Sequence, residues 1–441
     1  MASNKGKEKE KLIVSSDDNC LGEVPEEKKE GMFSMMVVLL GFTFFTSTMF
    51  GGGAIGVHFK FLPDLMIAVV IGNLILGSYV AALGYIAQRT GYSSVILARY
   101  SFGDKGSRLV DILFGVTQIG WYAWGTATIA MVFVKMLGLS ESLLIPLMVV
   151  FGFLFGLTSY IGYKGIQMLS NFAVPLMAVL IFWSFKIGFN DIGGIAGLSR
   201  VPSEPMPFTQ ALTIIVGTFI SGGTQSTNWT RFSKTAKIAV IASLVAFFLG
   251  NGLMIFAGAF GGYVYQNPDI VEVLLIQGLW LPALIMLFFN VWTTQDNAIY
   301  AVSVAGCNFF RTEKRRLMNF LGCGLSTILA IAGMYNWLIP YITIMGTIIP
   351  PIGGVIMGDY FVKHKNRYPK LSEVKMKNYN YTGLIAYAIG AILAYVSPGI
   401  TPINGVLGAL VAYQIVDKIM ISINKPQMYT LLNDSEKVLE S

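Results

Sequence analysis

The sequence predicts an all-α integral membrane protein of about twelve spanning helices. Three observations predict it. Hydrophobic residues make up 54% of the 441 positions, enough for about twelve passes of ~20 apolar residues each. Charged residues are only 12% and the mean hydropathy is +0.63, whereas an ordinary soluble domain is about one quarter charged. The charges that exist lie between apolar runs, and their distribution alternates from loop to loop.

Apolar runs place spans at 33–57, 63–87, 109–134, 141–162, 166–187 and 208–229, then at 237–261, 281–308, 317–337, 339–361, 381–397 and 404–421. With this count, 27 of the 31 Lys and Arg fall in the tails and one set of alternate loops, leaving Lys60, Lys135, Lys186 and Arg200 on the other side. The positive-inside rule then puts both termini in the cytoplasm, and a wrong span count would have scrambled the asymmetry. Residues 1–32 are polar and mixed in sign, lack the apolar core and cleavage site of a signal peptide, and read as a disordered cytoplasmic tail. Residues 422–441 read as a second cytoplasmic tail.

Composition also excludes function classes. The net charge of +7 reads as topology rather than as a nucleic-acid surface, because no single face carries it. The three cysteines, Cys20, Cys307 and Cys323, imply no disulfide framework; two read as small buried hydrophobes and Cys20 as a tail thiol. The two histidines, His58 and His364, form no metal-ligand cluster, and no phosphate-binding G-x-x-x-x-G-K-[ST] loop occurs. An intramembrane enzyme would need an activated nucleophile or a metal, and a channel a continuous polar lining. The expectation is a carrier, not an enzyme, working on a small molecule in a lipid bilayer, with no nucleic acid and no evident protein partner.

Two spans look interrupted. The first contains Gly41-Phe-Thr-Phe-Phe-Thr-Ser-Thr48 followed by Gly51-Gly52-Gly53, and the sixth contains Gly217-Thr-Phe-Ile-Ser-Gly-Gly-Thr-Gln-Ser-Thr-Asn228. Unwound backbone at membrane depth survives only where it lines protein or a watery cavity. The two segments are five spans apart, as inverted repeats require. This divides the chain into repeat one (33–187), repeat two (188–362) and two additional helices (363–421). The alternative is that glycine simply allows close helix packing.

Around such breaks, three sets of side chains could read a ligand. Gln118, Trp121 and Tyr122 in span three are spaced i, i+3 and i+4 and so share a face. An amide beside an aromatic plane suits a flat ligand with amide-like edges, and Phe219 in span six could cover the other face. Trp124 and Tyr122 could instead be interfacial anchors. In span eight Asn290, Thr293, Thr294 and Asn297 fall within an arc of roughly 100°. Their neutral oxygens, joined by carbonyls from an unwound helix, suit a small hard cation. Asp296 projects about 110° away from that stripe; it could be a proton relay, a gate partner or a structural hub. No Lys or Arg lies at mid-span, which favours a neutral, planar, polar substrate.

Five segments together resemble the cytosine-permease branch of the nucleobase:cation symporter family: Leu97-Ala-Arg-Tyr-Ser-Phe-Gly-Asp-Lys-Gly-Ser107, Thr117-Gln-Ile-Gly-Trp121, Gly217-Thr-Phe-Ile-Ser221, Trp292-Thr-Thr-Gln-Asp-Asn-Ala-Ile-Tyr300 and Ile349-Pro-Pro-Ile-Gly-Gly-Val355. The resemblance runs over about 33–421. It implies a LeuT-type five-plus-five inverted repeat with two extra C-terminal helices, importing cytosine with Na⁺ across a bacterial cytoplasmic (inner) membrane by alternating access. Trp121 and Phe219 would stack on the base, while Gln118, Ser221 and Asn290 would bond its edges. Gly41 and Phe44 carbonyls with Asn290, Thr293 and Thr294 would hold Na⁺, the coupling ion. Thr218 stands where the family often has serine, and Gln295 where it has asparagine. The competing expectation is a proton- or Na⁺-coupled carrier of another nucleobase, a hydantoin-like compound or an amino acid.

Overall fold

The computed structural model describes residues 20–425 and 429–432. The outer parts of both predicted tails, 1–19, 426–428 and 433–441, lie outside the described residues.

Helix follows every predicted apolar run. Span one is α1 (Met32–Thr43) and α2 (Thr46–His58), which meet at a 58° bend. Span two is α3 (Met66–Thr90); a short α4 (Ser94–Phe102) then leads into α5 (Ser107–Leu137). Span four is α6 (Leu144–Leu154) with α7 (Gly156–Ile161), and span five is α8 (Tyr163–Asp191). Span six is α9 (Phe208–Thr224) with the single-turn α10 (Thr227–Thr230), and span seven is α11 (Ala236–Val245) with α12 (Gly252–Tyr265). The connector α13 (Ile270–Ile276) precedes α14 (Trp280–Phe310) and α15 (Arg315–Ile331). Span ten, α16 (Leu338–Ile348) and α17 (Pro350–Met357), is divided where Pro350 and Pro351 interrupt the backbone donors. The chain closes with α18 (Tyr381–Val396) and α19 (Thr401–Ser422).

Six of these segments are long and apolar enough to cross a membrane on length and composition alone, seven if α1 and α2 count as one bent span. Notably, α5 and α14 are the two longest helices, 31 residues each, yet fall outside that group. Their Gln, Trp, Asn and Thr residues dilute the apolar signal, and most of those, though not Trp280, are turned to the protein interior. The two are five spans apart, as are the broken first and sixth spans.

Packing sorts the helices into two groups. In one, α3 contacts α9 and α11 while α2 lies along α12; in the other, α5 contacts α14 and α15 and α14 also meets α8. Close packing explains the Gly51–Gly53 run, with Gly52 and Gly53 on the α2–α12 seam and Gly51 against Thr218 of α9. A Cβ at Gly52 would stand 2.1 Å from the carbonyl oxygen of Ile255, one at Gly56 2.0 Å from that of Ala259, and one at Gly258 1.8 Å from that of Met49. These glycines therefore bring two backbones into contact inside intact helices. The expected interruption of span one is confined to Phe44 and Phe45, and that of span six to Gln225 and Ser226, so Gly217–Gly223 is continuous helix.

The tails need a second correction. Residues 20–31, expected to be disordered, form a strap across the cation-rich end of the bundle. Glu30 makes a two-way backbone bridge, its N–H to the carbonyl of Phe232 (2.6 Å) and its carbonyl from the N–H of Lys234 (3.0 Å), and its carboxylate pairs with Lys164 at the start of α8. Val24 N–H donates to the carbonyl of Gly91 at the end of α3. Cys20 is fully buried against Cys307 near the end of α14, so it is no solvent-exposed tail thiol. Past α19, β2 (Thr430–Leu431) pairs antiparallel with β1 (Val374–Lys375), which ties part of the second tail to the α17–α18 loop.

Candidate substrate and cation site

The break in span one places aromatic side chains at the centre of the protein. Thr43 ends α1 by turning its hydroxyl back to the carbonyls of Leu39 (3.0 Å) and Leu40 (3.2 Å). Phe44 and Phe45 then take non-helical dihedrals before α2 resumes. Phe45 stands edge-on to Trp121 (ring centroids 5.5 Å, 81°) and to Phe219 (6.4 Å, 90°), and Phe42 packs edge-on to Phe219 at 4.9 Å.

These rings wall a small cavity lined by Phe42, Phe45, Gln118, Trp121, Thr218, Phe219, Ser221, Gly222 and Thr294. None of the nine lining residues is charged. Gln118 is 1% exposed, and its Nε2 has no hydrogen-bond partner in the protein. A buried amide donor without a partner is costly unless a ligand supplies the acceptor.

The structure thus brings together five of the six sequence-expected substrate residues: Gln118, Trp121, Thr218, Phe219 and Ser221. Of these, Thr218 has its hydroxyl committed to the carbonyl of Ile215 (2.9 Å). Asn290 is the exception. Its side-chain oxygen accepts from Thr46 (2.6 Å) and its Nδ2 faces Met254 Sδ, so the carboxamide ties α14 to α2 instead of lining the cavity. Tyr122 also turns away, donating to the carbonyl of Gly152 on α6. Trp124 is 5% exposed and packs beside Phe45, so it is no interfacial anchor. Phe42 and Phe45 were missed; their signal was two aromatic residues flanking the break.

The cluster expected to hold a cation lies beside the cavity. Thr294 donates to the carbonyls of Phe44 (3.1 Å) and Asn290 (3.2 Å), with that of Phe42 at 3.4 Å, and Thr293 donates to those of Phe289 (3.0 Å) and Asn290 (3.1 Å). Gly41 abuts the same spot: a Cβ there would lie 3.6 Å from Thr293 Cβ and 2.4 Å from Ser170 Oγ. Neutral hard oxygens from two helices and one break converge here, a donor set fit for a small alkali cation. Asn290 contributes through its backbone carbonyl. Asn297 leaves the stripe to donate to the carbonyl of Thr293 (2.7 Å) and to Asp296 (3.0 Å). Asp296 itself accepts from Thr158 of α7 (2.9 Å), so it joins α14 to span four on the side away from the cavity.

A bent first span, two long polar helices and an aromatic-walled mid-bundle cavity define a membrane carrier of the LeuT type, and solved structures agree on the fold. The chain superposes on Mhp1, a nucleobase-cation-symport-1 family transporter in a closed conformation with bromovinylhydantoin bound, with a TM-score of 0.80 over 96% of this chain and 98% of that one, at 18% identity. A Na⁺-coupled sialic acid symporter matches at 0.68 over 96% of both chains, at 12% identity. Residues 23–416 match the family described as permease for cytosine/purines, uracil, thiamine and allantoin, and the chain belongs to that family. It is 39% identical to the cytosine permease of Escherichia coli (strain K12) over 92% of this chain and 96% of that protein, and 20% identical to the hydantoin permease of Microbacterium maritypicum over 88% and 86%. It is a multi-pass membrane permease of the nucleobase:cation symport family.

Proposed function

We propose that the protein imports cytosine together with Na⁺, by alternating access across a bacterial cytoplasmic membrane, with both termini on the cytoplasmic side. The observation that carries the coupling is Thr294, which lines the substrate cavity and also donates to the carbonyl of Phe44 at the break. A cation held by the carbonyls of Gly41, Phe44 and Asn290 with the hydroxyls of Thr293 and Thr294 fixes the α1–α2 break, and with it Phe42 and Phe45 of the cavity wall. Linkage makes the effect reciprocal, so Na⁺ tightens the base and the base tightens Na⁺ by the same factor.

Recognition of the base rests on chemistry already in place. Trp121 and Phe219 supply apolar faces, Gln118 Nε2 supplies a donor to a ring carbonyl, and Ser221 supplies a hydroxyl. The uncharged lining favours a neutral heterocycle over a zwitterion. The 39% identity to a cytosine permease favours cytosine among such bases.

The test is a thermal-shift screen of purified protein with cytosine, uracil, hydantoin and amino acids, in Na⁺ and in choline. Stabilisation by cytosine that requires Na⁺ is expected. Equal stabilisation in choline, with uptake driven by a pH step, would replace Na⁺ with H⁺. A larger shift with another ligand would replace cytosine.

A further inference from the structure

At the cation-rich end of the bundle, outside the site described above, an open groove runs between α5, α14 and α15. Its walls face outward, with Ile112 49%, Val116 52%, Leu321 53% and Leu325 48% exposed. Gly115 forms part of its floor, and a Cβ added there would meet no atom within 4 Å.

Two helices present matching stripes to this groove. On α5, Arg108 is followed by Ile112, Gly115 and Ile119; entering α15, Lys314 is followed by Met318, Leu321 and Leu325. Both run i, i+4, i+7, i+11, which keeps one helix face toward the groove. Each stripe is headed by an exposed cation at the same end of the bundle. Arg108 also lies over the ring of Phe309, a groove residue, at 6.0 Å.

The neighbouring charges are mostly committed. Asp111, the carboxylate in the groove wall, is 2% exposed and takes Asn308 Nδ2 on both oxygens (2.9 and 2.7 Å). Asp104 pairs with Arg99 (2.6 Å) and Arg311 (3.0 Å). Glu313 is the exposed anion beside Lys314, and Lys105 adds another exposed cation nearby. We propose that this groove binds an anionic phospholipid, with an acyl chain along the floor at Gly115 and the headgroup phosphate between Arg108 and Lys314.

The test uses full-length protein in detergent, with phosphatidylglycerol, phosphatidylcholine of the same acyl chains, and inorganic phosphate as probes, read by thermal shift and by lipid adducts in native mass spectrometry. Phosphatidylglycerol is expected to stabilise the protein and remain as an adduct, while the other two do not. Arg108→Gln and Lys314→Gln each lower its apparent affinity about fivefold, the contribution of one cation near an anionic lipid surface. Gly115→Leu, which fills the groove floor, removes the adduct while the cytosine response reports an intact fold; the two charge variants lie on the surface and keep the test open should that fill misfold. Equal binding of the two lipids, an adduct indifferent to the charge variants, or stabilisation reproduced by phosphate alone would overturn the proposal.

Discussion

Replacing Gly41 by alanine should weaken Na⁺ binding, and the geometry says why. The new methyl would stand 2.4 Å from Ser170 Oγ and 3.0 Å from Ser170 Cβ, against ordinary carbon contacts of about 3.5–4.0 Å. Backing away by about 1 Å would carry the end of α1 off α8, shift Gly41 away from Thr293 and pull the carbonyl of Phe44 from Thr294. Overpacking of this kind costs about 1–3 kcal/mol, so the Na⁺ midpoint should rise, by at most roughly 5- to 150-fold where all of that strain falls on the Na⁺-bound state, measured by titrating Na⁺ against the cytosine-induced thermal shift. Ser170→Gly in the same protein removes both clashing atoms. Ser170 Oγ is buried without a partner, so its loss forfeits no hydrogen bond, and the double variant should return toward the parental midpoint. A Gly41→Ala protein with unchanged Na⁺ dependence, or a double variant no better than the single, would refute the placement of the cation.

Trp121→Ala should cost about 1–3 kcal/mol of cytosine binding, the worth of one aromatic stack on a base; normal uptake by this variant would remove Trp121 from the site. Gln118→Ala should lose cytosine far more than unrelated ring compounds, because it deletes the edge-reading donor, and a uniform loss in competition assays would count against that role. Thr294→Ala should weaken cytosine in Na⁺ but barely in choline by calorimetry; equal weakening in both would make it a packing residue. Deleting residues 2–29 should lower the melting temperature, since it uncovers the contacts of Cys20 and Val24, each worth up to about 2 kcal/mol, and an unshifted melt would mean that the strap adds no stability.

The spans were legible because a lipid core forces apolar runs of fixed length, and the loop cations orient them. Residue spacing along α5 was enough to pair Gln118 with Trp121, but not to reject Tyr122, since i+4 lies near the edge of the same arc and a slight rotation sends its hydroxyl to Gly152. The same limit applies in α14. An arc of roughly 100° holds four polar residues, yet their heads diverge: Asn290 to Thr46, Thr294 to Phe44, Asn297 to Asp296. Gly51–Gly53 looked like a break because composition cannot distinguish an absent helix from two helices in backbone contact. The strap was invisible because Cys20, Leu21 and Val24 are few apolar residues among many charges, and their partners lie far along the chain.

That distance imposes an order on biogenesis. The strap leaves the ribosome well before the segments it docks on, for Glu30 needs Phe232 and Lys234, and Cys20 needs Cys307. At about 5–20 residues per second, the roughly 290 residues between Cys20 and Cys307 take on the order of 15–60 seconds to synthesise. For that interval the amino-terminal segment has no finished surface to dock on. It can settle only after the eighth span has been made, so a stretch made ahead of every span in the bundle is among the last to be placed.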